Sequence, residues 1–202
     1  LVRRRAIVAL VALALALLCG EAFGQVPAAA ERYRYLITVS ALEVFGRQAP
    51  IATVAGQLQQ ESGFRVRVVS GKGAGGIAQF TAATAASMGR LYPQLRPVDR
   101  FNPIWSIRAQ HYLLRDLLAA VRGFDACEAW AFALAGYNGG PRWVRARVAM
   151  SSSPLFCLYA TCDINPGILA SNQVENQEYP RRILLRLEPL YMRAWGARGV
   201  CH

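Results

Sequence analysis

The chain has 202 residues, 54% of them hydrophobic and 17% charged, which suits one folded domain with a sizeable core and excludes an intrinsically disordered chain. Its formal charge of +11 comes almost wholly from arginine, because Lys72 is the only lysine. A basic chain of this kind meets a polyanion such as nucleic acid, an anionic membrane face or an anionic wall polymer; the scattered arginines, with no helix-turn-helix, zinc-finger or RNA-binding signature, argue against nucleic acid.

The N-terminus reads as an export signal. Arg3, Arg4 and Arg5 precede the apolar run Ala6–Leu18, and Ala22-Phe23-Gly24 follows as a small-x-small cleavage site. The run is too short to span a bilayer comfortably, since a spanning helix needs roughly 20 apolar residues. Residues 1–24 are therefore expected to be a signal peptide, with an uncleaved anchor and transient membrane contact as the alternative. Residues 25–202 are expected to form the working domain, exported to the periplasm or cell envelope. Cys19 follows Leu17-Leu18 and not the small residue of a lipidation site. The other cysteines, Cys127, Cys157, Cys162 and Cys201, form an even set in an exported chain, which reads as disulfides. Three pairings are open. A local closure Cys157–Cys162 with Cys127–Cys201 is favoured, and free buried thiols are the alternative. Neither His111 nor His202 sits at zinc-ligand spacing, so no metal or other cofactor is expected.

The remaining pattern is helical. A lead-in helix is predicted over 28–47 with Tyr35, Val39, Leu42 and Phe45 as its apolar stripe. Pro50 opens the next helix, where Ile51, Val54, Ala55 and Leu58 share one face. Glu61 continues that face, so a carboxylate is aimed at the core. A glycine-rich loop spans 70–76. Thr81 caps a short helix that Gly89 ends. Asn102-Pro103 caps another, with Ile104, Ile107, His111, Leu114 and Leu118 on one side, running to about Val121. A helix from Asp125 to Ala135 is broken by 136–141, and Pro141 starts a short successor. Residues 151–172 form a loop, and a last helix carries Ile183, Leu184, Leu187, Leu190, Tyr191 and Trp195 at helical period. No stretch alternates as a strand. The fold class is all-α, a single mostly helical domain without internal repeat.

Four segments carry chemistry in order: E-S-G-F at 61–64, G-I-A-Q-F at 76–80, A-G-Y-N-G-G at 135–140 and E-N-Q-E-Y-P-R-R-I at 175–183. Together they resemble the SLT-type lytic transglycosylases, in a form like that of phage and prophage genes. The resemblance covers about residues 45–195. It implies a lysozyme-like fold, peptidoglycan glycan strands as substrate, and cleavage of the N-acetylmuramic acid to N-acetylglucosamine bond with a 1,6-anhydro product. It implies no cofactor, and a monomer is expected. Most glycosidases need two carboxylates; here Glu61 would act alone, first as acid and then as base. An acid on an apolar helix face suits that task, because burial raises a carboxyl pKa.

The resemblance also implies roles for other residues. Ser62 would orient the glutamate or the sugar, and Gln79 would hydrogen-bond an N-acetyl group. The Tyr137 hydroxyl would approach the glutamate, supported by Asn138, and Tyr179 would line the site. Ile77 and Phe80 would wall the cleft. Each has a plainer alternative: a helix-end hydroxyl for Ser62, a loop-fixing amide for Gln79, turn chemistry for Tyr137 and Asn138, and core packing for Tyr179, Ile77 and Phe80. Two departures stand out, Ala78 where the family often has methionine and Gly136 in place of its usual alanine. A hydrolytic muramidase on the same scaffold would need a second acid, for which Asp99, Asp116 and Glu128 are candidates. A non-catalytic wall-binding protein of the same fold is the other alternative.

Overall fold

The computed structural model describes residues 25–201; the expected signal segment and Cys19 lie outside them. The described chain is a bundle of helices, with no strand among these residues beyond isolated bridges joining Val69 to Gly75 and Gly75 to Phe80. None of its helices is long and apolar enough to cross a membrane.

Helix α1 (Ala28–Phe45) packs on α2 (Ile51–Ser62) and α4 (Pro103–Ala119). The predicted stripe of α1 is wrong in phase except at Phe45, which packs against His111 and Trp130. Tyr35, Val39 and Leu42 are exposed, while Ala30, Ile37, Ser40 and Ala41 are buried with Tyr33 and Val44 beside them. Both sets keep a helical period; the small Ala41 and the branched Ile37 make the buried face the one that packs closely.

Helix α2 is enclosed on nearly every side, with Ala52 through Leu58 buried. It packs against α1 and against α8 (Glu188–Trp195) together with the turn before it. Gly63 ends α2 in the left-handed region, at φ 59°, with its N–H on the Gln59 carbonyl, the conformation that glycine adopts without steric cost. The next segment folds back as a tight loop. Gly76 is required there, since a Cβ would lie 1.9 Å from the Arg100 carbonyl oxygen.

Thr81 caps α3 (Ala82–Leu91), its hydroxyl accepting from the Thr84 N–H at 3.1 Å. Gly89 does not end this helix as expected. It lies inside α3, where a Cβ would meet the Val98 side chain at 2.2 Å, so it serves close packing and not termination. Asn102 caps α4 with Pro103 in the first turn, as the sequence implies. Ile104, predicted on the buried side, is exposed, whereas Ile107, His111 and Leu114 are fully buried.

Asp125 caps α5 (Ala126–Gly139), which runs past its expected end at Ala135. The break falls at Gly140, φ 97°, because Gly136 is accommodated within the helix against Leu117 and Val144. Pro141 then starts α6 (Pro141–Met150). The predicted loop after it holds the turn Thr161–Asp163, and α7 (Ala170–Arg182) follows. The expected last helix is interrupted by a wide turn, Ile183–Leu187, before α8. There the Glu188 N–H bonds the Ile183 carbonyl, five residues back. Pro189 has no N–H to offer the Leu185 carbonyl, so the regular ladder cannot continue through it.

The cysteines pair as Cys127–Cys201 and Cys157–Cys162, each with Cα atoms 4.7 Å apart. The first ties the start of α5 to the C-terminal segment. The second closes the loop that leads to α7.

Candidate active site

Glu61 occupies the last turn of α2, at the floor of a cavity of about 650 Å³. The walls come from the loop at 70–81, the C-terminal end of α5 and one face of α7. Helical spacing dictates this placement: Val54, Leu58 and Glu61 share a face, of which Val54 and Leu58 are buried in the core and Glu61 continues into the cavity. Burial pushes the Glu61 carboxyl up to about 8, opposed by a hydrogen bond from Tyr179 and reinforced by the charge of Glu175. The carboxyl is therefore mostly protonated at neutral pH, ready to donate.

Tyr179 reaches this carboxyl from α7, its hydroxyl donating to Glu61 Oε1. Tyr137, from α5, donates instead to the Ala78 carbonyl at 2.7 Å and so pins the 76–80 loop to the cavity. Burial, and then the charge of Glu61, holds both phenols well above their ordinary range. Neither tyrosine competes with Glu61 as the acid at neutral pH.

The loop itself is held by short-range bonds. Gln79 adopts φ 50° and donates from Nε2 to the carbonyls of Gly76, at 2.8 Å, and Val68, at 3.3 Å. Its Oε1 makes no hydrogen bond among the described residues, and the residue lines the cavity. Ser62 is buried, and its hydroxyl donates to the Ile77 carbonyl at 2.8 Å. It thus ties the end of α2 to the loop and has no face on the cavity. Phe80 lines the cavity, edge-on to Tyr137 and to Trp105. Ile77 is fully enclosed behind it.

Asn138 also lines the cavity, and a polar cluster behind it fixes its position. Asn138 Nδ2 donates to Glu175 at 3.2 Å, and its oxygen accepts from Asn176 at 2.8 Å. Asn176 donates as well to the Ala135 carbonyl at 2.9 Å. Arg147, fully buried, donates to Asn176, to Gln173 at 2.6 Å and to the Ile164 carbonyl at 2.9 Å. The glycine at 139 has a cause here: a Cβ would lie 2.6 Å from Asn176 Nδ2.

Sequence reasoning missed several of these groups. Glu175 and Glu178 line the cavity, whereas the acids named as second-carboxylate candidates do not. Asp116 accepts from the Tyr92 hydroxyl, Glu128 binds the N–H groups of Cys157 and Leu158, and Asp99 binds the Phe101 N–H. Lys72 reaches Glu175 and Asn172, each at 3.1 Å, from the glycine-rich loop. No sequence signal links residues so far apart; only the docking of α7 does. Gln57, one turn before Glu61, was within reach of helical arithmetic. A second cavity of about 440 Å³, behind α5, is lined by apolar residues such as Leu117, Phe132 and Val144 and holds no carboxylate. Among the described residues no cluster of histidine, cysteine or acidic side chains could hold a metal.

Residues 47–154, more than half of the chain, match the family described as Transglycosylase SLT domain. Among solved structures, the 70 kDa soluble lytic transglycosylase SLT70 from Escherichia coli aligns with a TM-score of 0.63 at 22% sequence identity, covering 82% of this chain and 25% of that one. Lytic transglycosylase Slt from Pseudomonas aeruginosa, solved as an inactive glutamate-to-glutamine mutant, aligns with a TM-score of 0.59 at 19% identity, covering 83% of this chain and 25% of that one. These likenesses establish the shared fold, and the chain spans about a quarter of the length of either protein. No curated protein matches it. Three of the four motif segments lie inside the matched stretch and the fourth closes the same cavity, so the chain belongs to the transglycosylase SLT domain family.

Proposed function

We propose that the protein is a peptidoglycan lytic transglycosylase, cleaving the bond between N-acetylmuramic acid and N-acetylglucosamine with Glu61 as its single acid and base. One observation carries this reading: Glu61 is the half-buried carboxyl of the cavity, held largely neutral at pH 7 by desolvation and fixed through one oxygen by Tyr179. A neutral carboxyl can protonate the leaving glycosidic oxygen. The acetamido oxygen of the substrate stabilises the cation that results. Ionised Glu61 then takes the proton of the muramic acid 6-hydroxyl, which closes the anhydro ring without water. Proton count is conserved, so the residue returns to its starting state. Glutamate-to-glutamine replacement in the Pseudomonas aeruginosa protein is described as inactive, in keeping with a single essential acid.

The remaining site residues take roles that fit their bonds. Gln79 Oε1 would accept from an N-acetyl N–H of the glycan, Tyr137 and Asn138 would hold the cavity wall, and Phe80 would pack against a sugar face. Ser62 and Ile77 support the loop from behind. The positive charge of the chain favours an anionic wall polymer as partner, and the protein would work in the cell envelope.

A hydrolytic muramidase is the second reading, favoured by Glu175 and Glu178 on the wall of the same cavity. Digestion of peptidoglycan in water enriched in oxygen-18 separates the two. A transglycosylase yields anhydro ends without the label, while a hydrolase yields reducing ends that carry it.

A further inference from the structure

Two side chains behind the cavity wall are unexplained by the site as described. Gln57 on α2 and Gln110 on α4 are fully buried uncharged amides. Amides are a costly way to fill a core, since each polar atom must be paired, and Gln110 Oε1 has no partner among the described residues. Their hydrogen bonds form a directed chain. Gln110 Nε2 lies 3.2 Å from the Val54 carbonyl and 2.7 Å from Gln57 Oε1. A carbonyl only accepts, so the nitrogen end of Gln110 is fixed. Gln57 must then turn its oxygen to Gln110 and its nitrogen to the Tyr179 hydroxyl, at 3.1 Å. Tyr179 accepts there, so its own proton goes to Glu61 Oε1. The acid proton of Glu61 is left to Oε2, which makes no hydrogen bond among the described residues.

We infer that Gln57, held by Gln110, is a positioning residue that fixes the donor direction of Tyr179 and thereby keeps the transferable proton of Glu61 on the oxygen not bound to Tyr179. This inference rests on the proposed acid role of Glu61, but the titration of Glu61 can be read without any activity. Gln57 also makes Tyr179 a better donor: its hydrogen bond lowers the pKa of that phenol, and chained hydrogen bonds polarise one another. A better donor stabilises the Glu61 carboxylate. Loss of Gln57 should therefore raise the Glu61 pKa further. The other groups that share the cavity with Glu61 are Tyr137 from α5, Glu175, Glu178 and Arg182 from α7, and Lys72 from the 70–76 loop. None of these hydrogen-bonds Gln57, whose bonds run to Tyr179 and Gln110.

The test is a cycle of Gln57→Met, Tyr179→Phe and the double variant. Methionine keeps the volume of glutamine and removes its hydrogen bonds. Carbon-13 NMR of the Glu61 carboxyl gives its pKa, and glycan cleavage gives kcat and KM. Gln57→Met alone should raise the Glu61 pKa by about half a unit and lower kcat roughly fivefold with KM nearly unchanged. In the Tyr179→Phe background the same substitution should shift the pKa by less than about 0.2 unit and change kcat by less than about twofold, because the effect passes through Tyr179. Gln110→Met, which frees the Gln57 amide to turn, should shift the pKa in the same direction by less, and it serves if Gln57→Met does not fold. An unchanged Glu61 titration in both variants would overturn the inference. So would an equal loss of kcat from Gln57→Met with and without the Tyr179 hydroxyl. If the protein cleaves no glycan, the NMR arm still decides the positioning role, and the proposed function alone fails.

Discussion

Glu61 is neutral in the folded chain because burial removes the water that would solvate its charge. That has two consequences with opposite value. The proposed function needs the proton, so on that reading cleavage should be lost on the alkaline side with an apparent pKa near 8, measured as kcat/KM against pH. Stability is lowered by the same shift. The folded pKa of about 8 exceeds the ordinary carboxyl value of 4.5, so between these values the unfolded chain releases a proton that the folded one keeps. The contribution of Glu61 to stability is full below pH 4.5 and declines as pH rises toward 8. Glu61→Gln removes this dependence. The variant should be stabilised relative to the parent by about 1–3 kcal/mol at pH 7.5 and by much less at pH 5, read as Tm at the two pH values. Part of this residue's environment is legible in the sequence, since the spacing of Val54, Leu58 and Glu61 puts the acid on the packed face. Its hydrogen-bond partner is not legible by spacing alone, because Tyr179 lies on a helix that meets α2 only in three dimensions.

At the scale of elements, starts were easier to read than ends. Thr81, Asn102-Pro103, Asp125 and Pro141 open helices as the sequence implies, because a cap or a fixed proline φ acts locally. Glycine is not a stop at 89 or at 136, where the sequence pattern suggests one. In each case glycine sits inside a helix where a neighbouring side chain comes close, and closeness is a tertiary fact. The buried face of α1 was misread for a related reason: two stripes satisfied the helical period, and only the partner helix selects one. Gly139 belongs to this class and gives a test. Gly139→Ala would drive a methyl group into Asn176, disturbing its bonds to Ala135 and Asn138. It should cost about 1–3 kcal/mol in chemical denaturation and lower cleavage, because α5 and α7 would no longer meet correctly at the cavity.

For the whole molecule, the site is a junction of separated segments. Glu61 comes from α2, the loop at 70–81 from the following turn, Tyr137 from α5 and Tyr179 from α7. Arg147 and Asn176 join the last two from behind. The disulfides restrain the same region: Cys127–Cys201 fixes the start of α5 to the C-terminus, and Cys157–Cys162 closes the loop before α7. Chain-entropy reasoning assigns about 4 kcal/mol to the long closure and about 2 kcal/mol to the short one. Urea unfolding of Cys127→Ser/Cys201→Ser and of Cys157→Ser/Cys162→Ser should show that order; equal losses would mean that native strain, and not loop length, governs them. The all-α class and the four motif segments are legible in the chain; of the three open cysteine pairings the sequence only favours the one the structure has. The further cavity acids, Glu175 and Glu178, and the amide Gln110 come together with Glu61 and Gln57 only once the helices dock.

The most direct test of the account is digestion of purified peptidoglycan by the protein and by its Glu61→Gln variant, with the released fragments weighed by mass spectrometry. The account predicts anhydro-muramic fragments, one water lighter than reducing ones, from the protein and none from the variant. Undiminished release by the variant would contradict it.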